Sequence, residues 1–374
     1  MTKPIVAITE CRDYSTPSIL KAIEKIVDSA GFPDVKNKTV LLKPNILSGS
    51  SPEKAVTTHP QLVRAVIRLV SARGASRILV GDSPGVGSPD MAGKKSGIKA
   101  AVLEEGAEWT LFTESIRLLA PEGKKQNQFY PAKQLEEADV LISLPKMKTH
   151  EMMYYTGAIK NLFGMIPGLK KSRFHLNYPQ KEDFAALIVD LFQALKPSYA
   201  IMDGISAMEG SGPGSGTPID VGLLMGSANL LALDWATATI MGYDCMKIPI
   251  LKDALERGAW LERPDEITYP LLDPEDLIIN DYERVKILKD TGFIKKIVPQ
   301  RVYGFIRDLY VPRPFFSSKK CIGCGECVRI CPARALTLKG KGKEARVLID
   351  YKLCIRCYCC HEVCPVEAIR IGRL

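Results

Sequence analysis

Eight of the eleven cysteines stand in two runs of identical spacing near the end of the chain. The first run reads C-x2-C-x2-C-x3-C-P from Cys321 to Pro332, and the second repeats it from Cys354 to Pro365. Three thiolates spaced by two residues can wrap a loop around three corners of a cubane cluster, and the fourth ligand must come from elsewhere. Disulfides need an oxidising compartment, and zinc needs neither the third cysteine nor the proline. The spacing therefore predicts [4Fe-4S] clusters.

The double run resembles that of the bacterial two-cluster ferredoxins. In that family the fourth cysteine of each run ligates the cluster of the other run. The resemblance implies two ligand sets, which are Cys321, Cys324, Cys327 and Cys364 for cluster 1, and Cys354, Cys357, Cys360 and Cys331 for cluster 2. Cys359 lies inside the second run, where it is either a spare buried thiol or a ligand that replaces a neighbour.

Positive charge is concentrated in the same part of the chain. The net charge of the 374 residues is +9, and residues 313–374 carry 13 Lys and Arg against 5 Asp and Glu. Two bound clusters with their thiolates, each formally about −2, offset roughly half of that excess. The basic surface suits an acidic redox partner such as a soluble ferredoxin. Nucleic acid is the other partner class for a basic module, but no stacking aromatics are interleaved with these lysines, so we expect none.

No segment has the properties of a membrane span or an export signal. The composition, 46% apolar and 25% charged, is that of a soluble globular protein with room for two or three domains. No run of about 18 apolar residues occurs. The first ten residues lack the apolar core of a signal peptide. We therefore expect no membrane span and a cytoplasmic protein.

Short apolar runs alternate with helical patterns over the first 240 residues. This predicts an α/β fold, with a largely parallel sheet and helices on both faces. Strands are predicted at 5–8, 39–42, 77–80, 108–113, 139–144, 199–202 and 221–225, a polar hairpin or excursion at 117–135, and helices at 18–30, 58–74 (capped by Thr58), 156–165, 183–195, 230–241, 250–258 and 283–309. The stiff segment 311–314 divides the chain into an α/β domain, residues 1–312, and a small α+β ferredoxin-like domain, residues 313–374, with a strand pair at 335–338 and 345–349.

Polar segments follow four of the predicted strands, at 43–45, 81–87, 145–150 and 203–216. Ligands of open parallel sheets bind outside the carboxyl ends of the strands. The segment 144–181 also carries seven Lys and Arg against one acid, Glu151, which favours an anion site over a solvated basic loop. No P-loop or Rossmann fingerprint is present.

These segments supply the candidate site residues. The expected substrate- or anion-binding residues are Lys43, Asn45, Asp82, Ser83, Lys148, Lys160, Asn161, His175 and Asp203. The expected catalytic residues are His150 and Lys146, as proton donors, and Glu209, as an acid or base. Each histidine has a structural alternative as a hydrogen-bonded residue, and an acid before glycine is often a turn residue.

Several of these segments together resemble one family. The matching motifs are Lys43-Pro44-Asn45, Gly81-Asp82-Ser83, 144–150 (LPKMKTH), 156–164 (TGAIKNLFG) and 208–213 (MEGSGP). They are similar to the family called domain of unknown function 362, whose members are often fused to a two-cluster ferredoxin module. The resemblance covers essentially the whole chain. It implies an iron–sulfur protein and assigns no reaction.

Two functions compete at this point. The first is an oxidoreductase that relays single electrons through two [4Fe-4S] clusters to an anionic substrate or cofactor at the strand-end edge. The alternative is a non-enzymatic electron-transfer or docking protein for an acidic redox partner. An accessory role in cluster or cofactor assembly is a third hypothesis. The sequence leaves the substrate open, as well as a flavin or second metal.

Overall fold

The computed structural model describes residues 3–85, 87–168, 170–287, 311–340 and 344–373. Their strands are β1 (Ala7–Glu10), β2 (Thr39–Pro44), β3 (Arg77–Val80), β4 (Glu108–Trp109), β5 (Leu118–Leu119), β6 (Gln128–Phe129), β7 (Val140–Leu144), β8 (Lys146–His150), β9 (Tyr154–Thr156), β10 (Tyr199–Glu209), β11 (Thr217–Ser227), β12 (Arg313–Phe316), β13 (Leu336–Lys339), β14 (Arg346–Ile349) and β15 (Ile369–Gly372). Their helices are α1 (Thr16–Ser29), α2 (Pro60–Ala72), α3 (Pro89–Lys95), α4 (Ile98–Glu104), α5 (Gln134–Glu137), α6 (Ala158–Asn161), α7 (Lys170–Asn177), α8 (Lys181–Leu195), α9 (Leu230–Ile240), α10 (Pro249–Glu256), α11 (Glu326–Ile330) and α12 (Cys359–Glu362). Short 3₁₀ turns lie at Pro52–Lys54, Leu162–Met165, Cys245–Lys247, Pro264–Glu266 and Pro274–Leu277.

A nine-stranded mixed sheet organises the first part of the chain. Its order is β1-β11-β10-β7-β2-β3-β4, and β8 with β9 continues from the end of β10. The pairings of β10 with β7 and β8, of β2 with β3 and β7, and of β3 with β4 are parallel. Three pairings, those of β11 with β1 and β10 and of β8 with β9, are antiparallel. The predicted α/β fold with a largely parallel sheet is confirmed.

Both faces of this sheet are buried under helices. In β2, Val40 and Leu42 face the core formed with α1 and α2, whereas Leu41 faces the core formed with α8, α9 and α10. This follows from the alternation of side chains along a strand. Each fully buried aliphatic side chain of this kind contributes about 1.5–3 kcal/mol. The continuous apolar runs that predicted the strands are thus explained by burial on both faces.

Four local predictions need correction. The segment 146–150, predicted only as a polar segment after a strand, is strand β8, in which Lys146 and Lys148 are buried against partners rather than solvated. The cap of α2 is His59, whose ring accepts the N–H of Gln61, and not Thr58, whose hydroxyl bonds to Leu144 O. Helix α7 was not predicted. Residues 283–287 are not helical, and most of the predicted helix 283–309 lies outside the described residues.

The cysteine-rich region is built from two strand pairs and two short helices. Strand β12 pairs with β15, and β13 pairs with β14 as a hairpin, as predicted. Tyr358, between two cysteines of the second run, is 3% exposed and packs into the core of the large sheet. Its hydroxyl donates to Pro312 O. The second cysteine run is therefore fixed against the α/β domain. No helix among the described residues has the length and apolar character to cross a membrane.

Candidate functional site

A cavity of about 100 Å³ lies where the carboxyl ends of β2 and β3 meet α6, α7 and the cysteine-rich region. Its charged lining residues are Lys43, Asp82, Lys148, Lys160, Lys171 and Glu362. Residues from the cysteine-rich region, Ile330, Cys359, Glu362 and Val363, close one side. The cavity thus belongs to both parts of the chain.

A buried ion pair forms the floor of the cavity. Lys43 Nζ lies 2.8 Å from Asp82 Oδ1, and neither side chain is more than 4% exposed. Asp82 also accepts the backbone N–H groups of Ile46 (2.6 Å) and Ser83 (2.8 Å). Burial lowers the pKa of Lys43, whereas Asp82 raises it. Such a pair is retained only when its remaining hydrogen-bonding capacity is satisfied, as it is here.

Gly164 is required beside this pair. A Cβ at this position would lie 2.1 Å from Asp82 Oδ1 and 2.7 Å from Lys43 Nζ. Both atoms are fixed by their mutual contact, so they cannot move aside. The glycine in the predicted motif 156–164 therefore has a steric reason.

Two further lysines are anchored through neutral oxygen atoms. Lys148 Nζ donates to Asn45 Oδ1 (2.8 Å), Val56 O (2.7 Å) and Pro213 O (3.3 Å). Lys171 Nζ donates to Ser83 O, to Ser83 Oγ (3.2 Å) and to Pro84 O (3.1 Å). Burial lowers the pKa of Lys148 well below its usual value and that of Lys171 to about 8. Their positive charges are held at fixed positions without a carboxylate partner.

Lys160 differs from these lysines. Among the described residues, no hydrogen bond or ion pair to its ammonium group is formed. It stands on α6, whose first N–H groups, those of Ala158 and Ile159, donate to the buried carboxylate of Asp234 at 2.6 and 2.9 Å. Burial lowers the pKa of Lys160, and Glu362 raises it. The cavity therefore contains a cation whose hydrogen-bonding capacity is unused.

Asp234 fixes the position of α6. Burial raises the pKa of this carboxyl group to about 7, and its three donors, Ala158 N, Ile159 N and Tyr155 Oη, lower it. A Cβ on Gly157 would lie 2.1 Å from Asp234 Oδ1. The motif Thr156-Gly157-Ala158 thus fixes the positions of Lys160 and Asn161. Asn161 Oδ1 accepts hydrogen bonds from Lys43 Nζ and Asn45 Nδ2.

His150 is buried behind the cavity and contacts the cysteine-rich region. Its Nδ1 accepts the N–H groups of Met152 (3.1 Å) and Met153 (3.4 Å), so the proton of the neutral ring is assigned to Nε2. Nε2 lies 3.4 Å from Glu362 Oε1. Burial lowers the pKa of His150 well below its ordinary value. The neutral ring thus contacts α12 at Glu362.

His175 lines the cavity from α7. Its ring stacks on Phe184 with centroids 4.3 Å apart and meets Phe163 edge-on. Its Nδ1 has no hydrogen-bond partner among the described residues, and neither does the buried Oγ1 of Thr156, which also lines the cavity. Burial lowers the pKa of His175 to about 3. Both polar atoms are thus buried without a partner near the cavity.

Three predicted site residues lie elsewhere. Lys146 Nζ pairs with Asp203 Oδ2 at 3.0 Å, with both side chains at most 1% exposed. Tyr14 Oη donates to the other carboxylate oxygen and accepts from Lys146. Glu209 accepts the N–H of Glu283 at 2.8 Å. None of Lys146, Asp203 and Glu209 lines the cavity. The first two neutralise each other, because each is the other's buried partner.

The cavity combines eight of the nine predicted binding residues. These are Lys43, Asn45, Asp82, Ser83, Lys148, Lys160, Asn161 and His175. The sequence reasoning did not assign Lys171, Thr156, Phe163 and Glu362 to the site. Lys171 belongs to the basic segment already noted, so its charge was an available signal. Glu362 had no signal, because only the docking of α12 brings it to the cavity.

The cysteines form two separate groups. Cys321, Cys324, Cys327 and Cys364 surround one space of about 210 Å³. Cys331, Cys354, Cys357 and Cys360 surround a second, narrower one, with Cys359 in its wall. The N–H groups of Ala335 and Ala368 donate to Cys331 Sγ (3.3 Å) and Cys364 Sγ (3.2 Å) at equivalent places of the two runs. These groups coincide with the two predicted crossover sets.

Thiols in these two sets fit [4Fe-4S] clusters. Among the described residues, no three His, Cys, Asp or Glu converge closely enough for a single metal ion. A cubane needs its four thiolates spread over four irons, so wider spacing is the expected arrangement. Cys359 lines both the second thiol group and the basic cavity. The second group is therefore the one next to the cavity.

The sequence profile of the family described as "Domain of unknown function (DUF362)" matches residues 40–239, more than half of the chain. The chain belongs to the DUF362 family. A second profile, "4Fe-4S dicluster domain", matches residues 320–368 of this DUF362 protein. The suspected family and the ferredoxin module are thereby confirmed, and the chain has an iron–sulfur electron-transfer role. The DUF362 match includes every residue of the cavity except those of the cysteine-rich region.

One curated relative covers most of the chain. The thylakoid-associated protein sll1697 of Synechocystis sp. is 32% identical over 320 residues, which cover 84% of this chain and 98% of the relative. Among solved structures, a Thermotoga maritima protein is similar with 15% sequence identity and a TM-score of 0.33, and the match covers 56% of this chain and 55% of the Thermotoga chain. The lactate racemase apoprotein from Thermoanaerobacterium thermosaccharolyticum is similar with 12% sequence identity and a TM-score of 0.38, and the match covers 61% of this chain and 55% of the racemase chain. The chain thus matches little more than half the length of either structure.

Proposed function

We propose that this DUF362 protein is an oxidoreductase whose ferredoxin module, residues 313–374, delivers single electrons to an anionic substrate in the basic cavity. The observation that supports it is the shared wall of the cavity. Lys148 and Lys160 approach from the α/β domain, residues 1–312, and Cys359 and Glu362 approach from the second cysteine run. Two [4Fe-4S] clusters, when bound, supply one-electron chemistry. Joining both parts in one chain keeps the effective concentration of the electron source high.

The residues in and behind the cavity have different proposed roles. Lys160 donates hydrogen bonds to the anion, whereas Lys148 and Lys171, whose N–H groups already bond protein oxygen atoms, provide electrostatic attraction. With a pKa of about 8, Lys171 is protonated at neutral pH and keeps its positive charge there. His150 is proposed to hold α12 in place through Glu362. A flavin is not part of the proposal, because a cavity of about 100 Å³ is smaller than the roughly 300–1,000 Å³ of pockets for larger ligands.

The first cysteine group is the proposed entry point for electrons. Cys324 is exposed, and Ile322 beside it is 54% exposed. Lys319 and Lys320 are also exposed at this end. An apolar contact with cationic neighbours suits an acidic donor such as a soluble ferredoxin, which we propose as the partner in a reducing cytoplasm.

The proposal is tested with reconstituted, chemically reduced protein under anaerobic conditions. Small organic and inorganic anions are added one by one, and the return of the oxidised-cluster absorbance is followed. We expect one class of anion to accelerate reoxidation, and Lys171→Gln to reduce that acceleration by about tenfold or more. Lys25→Gln, a change of an exposed lysine on α1, serves as the control. If no anion accelerates reoxidation, the enzyme assignment fails.

A non-enzymatic electron carrier is the second candidate, and the exposed Cys324 with Lys319 and Lys320 favours it. Both candidates predict that electron transfer from an acidic ferredoxin slows with rising ionic strength. They differ in the acceptor of the electrons. A carrier passes its electrons to another protein at a rate that small anions do not change, whereas the oxidoreductase requires a cavity ligand.

A further inference from the structure

The cavity wall contains more basic than acidic side chains. Lys43 is paired with Asp82, and burial lowers the pKa of His175 to about 3, so its ring is neutral. The wall also contains three lysines, whose pKa values burial lowers, and one acid, Glu362, whose pKa burial raises. Buried charges without partners are costly. The excess favours a ligand with more than one negative charge.

The hydrogen-bonding groups of the wall point to the same conclusion. Lys160 has three N–H donors and no partner among the described residues. His175 Nδ1 and Thr156 Oγ1, in side chains 6% and 3% exposed, are likewise unsatisfied there. Unsatisfied buried polar atoms are rare in folded proteins. The donors of Lys160, which is only partly buried, are therefore the ones that a ligand in the cavity can use.

Apolar residues also line the cavity. They are Ile46, Leu47, Phe163, Pro213, Ile330 and Val363. An inorganic oxyanion makes no use of such a surface, whereas a carbon skeleton does. The volume of about 100 Å³ limits that skeleton to a few carbon atoms.

We propose that the cavity binds a short-chain organic acid with two anionic groups, a dicarboxylate or a phosphorylated carboxylate, with Lys160 as a specific anchor. This inference rests on the proposed function and names its substrate class. One anionic group occupies the position between Lys160 and the anchored lysines, and the carbon body contacts Phe163 and Ile46. A carboxylate bonded to Lys160 gains a charge-assisted hydrogen bond that a methyl group cannot make.

Binding to the oxidised holoprotein tests this without electron transfer. Isothermal titration compares fumarate, succinate, oxaloacetate and phosphoenolpyruvate with three matched monoanions, crotonate, butyrate and pyruvate, and with inorganic phosphate. We expect at least one organic dianion to bind about tenfold or more tightly than its monoanion. Lys160→Gln removes most of that difference, Lys160→Arg keeps most of it, and Lys25→Gln leaves it unchanged.

Circular dichroism and iron content establish that each variant is folded and loaded. Equal affinities for dianions and monoanions, or binding of phosphate alone, overturn the inference. It is also overturned if Lys160→Gln shifts the reduction potential of the cluster but leaves the dianion affinity unchanged, since Lys160 then acts electrostatically on the cluster and not on a ligand. Failure of the proposed function looks different. In that case the dianion binds and depends on Lys160, yet it does not reoxidise the reduced protein.

Discussion

His150 Nε2 lies 3.4 Å from Glu362 Oε1, and this contact joins the large sheet to the second cysteine run. The ring cannot turn to use another atom, because Nδ1 is occupied by the N–H groups of Met152 and Met153. Tyr358, one turn before Glu362, is buried in the core of the large sheet. The second thiol group is thus held against the cavity at two points, one polar and one apolar.

Replacing His150 should loosen this junction. His150→Leu removes the polar contact with Glu362 and leaves the N–H groups of Met152 and Met153 without their acceptor. Loss of such buried hydrogen bonds costs about 1–3 kcal/mol. We expect the free energy of unfolding of the holoprotein, measured in urea, to fall by that amount, and the ligand-dependent reoxidation to slow. His150→Asn, whose amide can replace Nδ1 as the acceptor, should recover part of the stability. Unchanged stability in His150→Leu would contradict the junction.

Acid should destabilise the fold through its buried histidines. Burial lowers the pKa of His175 to about 3, whereas the unfolded residue titrates near about 6.5. Between these values the unfolded chain binds more protons, so the free energy of unfolding falls as the pH decreases from about 6.5. The limiting slope is about 1.4 kcal/mol per pH unit for each such histidine.

The contribution of His175 can be isolated. His175→Phe retains the stacking on Phe184 and removes the titrating group. We expect the free energy of unfolding of this variant, measured in urea between pH 5 and 6.5, to fall less steeply as the pH decreases. The difference in slope should correspond to about one fewer proton bound on unfolding. Tyr178→Phe, just beyond α7, removes no group that titrates in this range and should keep the wild-type slope. An identical slope in His175→Phe would show that His175 is protonated in the folded protein.

The same contacts explain what could be predicted from the sequence. Val40, Leu41 and Leu42 alternate between two cores, so a continuous apolar run was a sufficient signal for a central strand. Strand β8 gave no such signal. Lys146 and Lys148 are buried within it, because Asp203 neutralises one and three oxygen atoms bind the other. Local periodicity does not contain these distant partners.

The site was predicted only in part, because some of its residues are positioned by distant partners. Residues at strand ends, such as Lys43 and Asp82, could be placed together, because parallel strands end at one edge. Lys146 starts β8 and pairs with Asp203 inside the neighbouring β10, and their mutual ion pair keeps both out of the cavity. Glu362 reaches the cavity only through the packing of α12 against the sheet. Side-chain pairing and domain docking are long-range, and motif spacing does not encode them.

Gly164→Ala should separate Lys43 from Asp82. The added Cβ would lie 2.1 Å from Asp82 Oδ1, so the carboxylate must leave its position. Disrupting a buried ion pair costs about 3–5 kcal/mol. We expect a loss of this size in the free energy of unfolding and loss of anion binding in the cavity. Gly372→Ala, where a Cβ meets Phe315 at an ordinary 3.6 Å, is the matched control. Equal effects of the two changes would refute the steric argument.

Double variants test whether the fourth cysteine of each run ligates the cluster of the other run. The wild-type protein should contain about eight irons per chain. If Cys321 and Cys364 bind the same cluster, Cys321→Ser with Cys364→Ser loses about four irons, no more than either single variant. Cys354→Ser with Cys364→Ser then affects both clusters and loses about eight.

Ligation within each run reverses these two results, because Cys364 would then belong with Cys354. Cys359→Ser separates the two roles of that thiol. As a spare residue in the wall between the second group and the cavity, Cys359 can be replaced with about eight irons retained. Iron analysis with EPR spectra of the reduced protein measures all of these variants. A loss of about four irons in Cys359→Ser would instead make it a ligand of cluster 2, and the cavity would then directly adjoin that cluster.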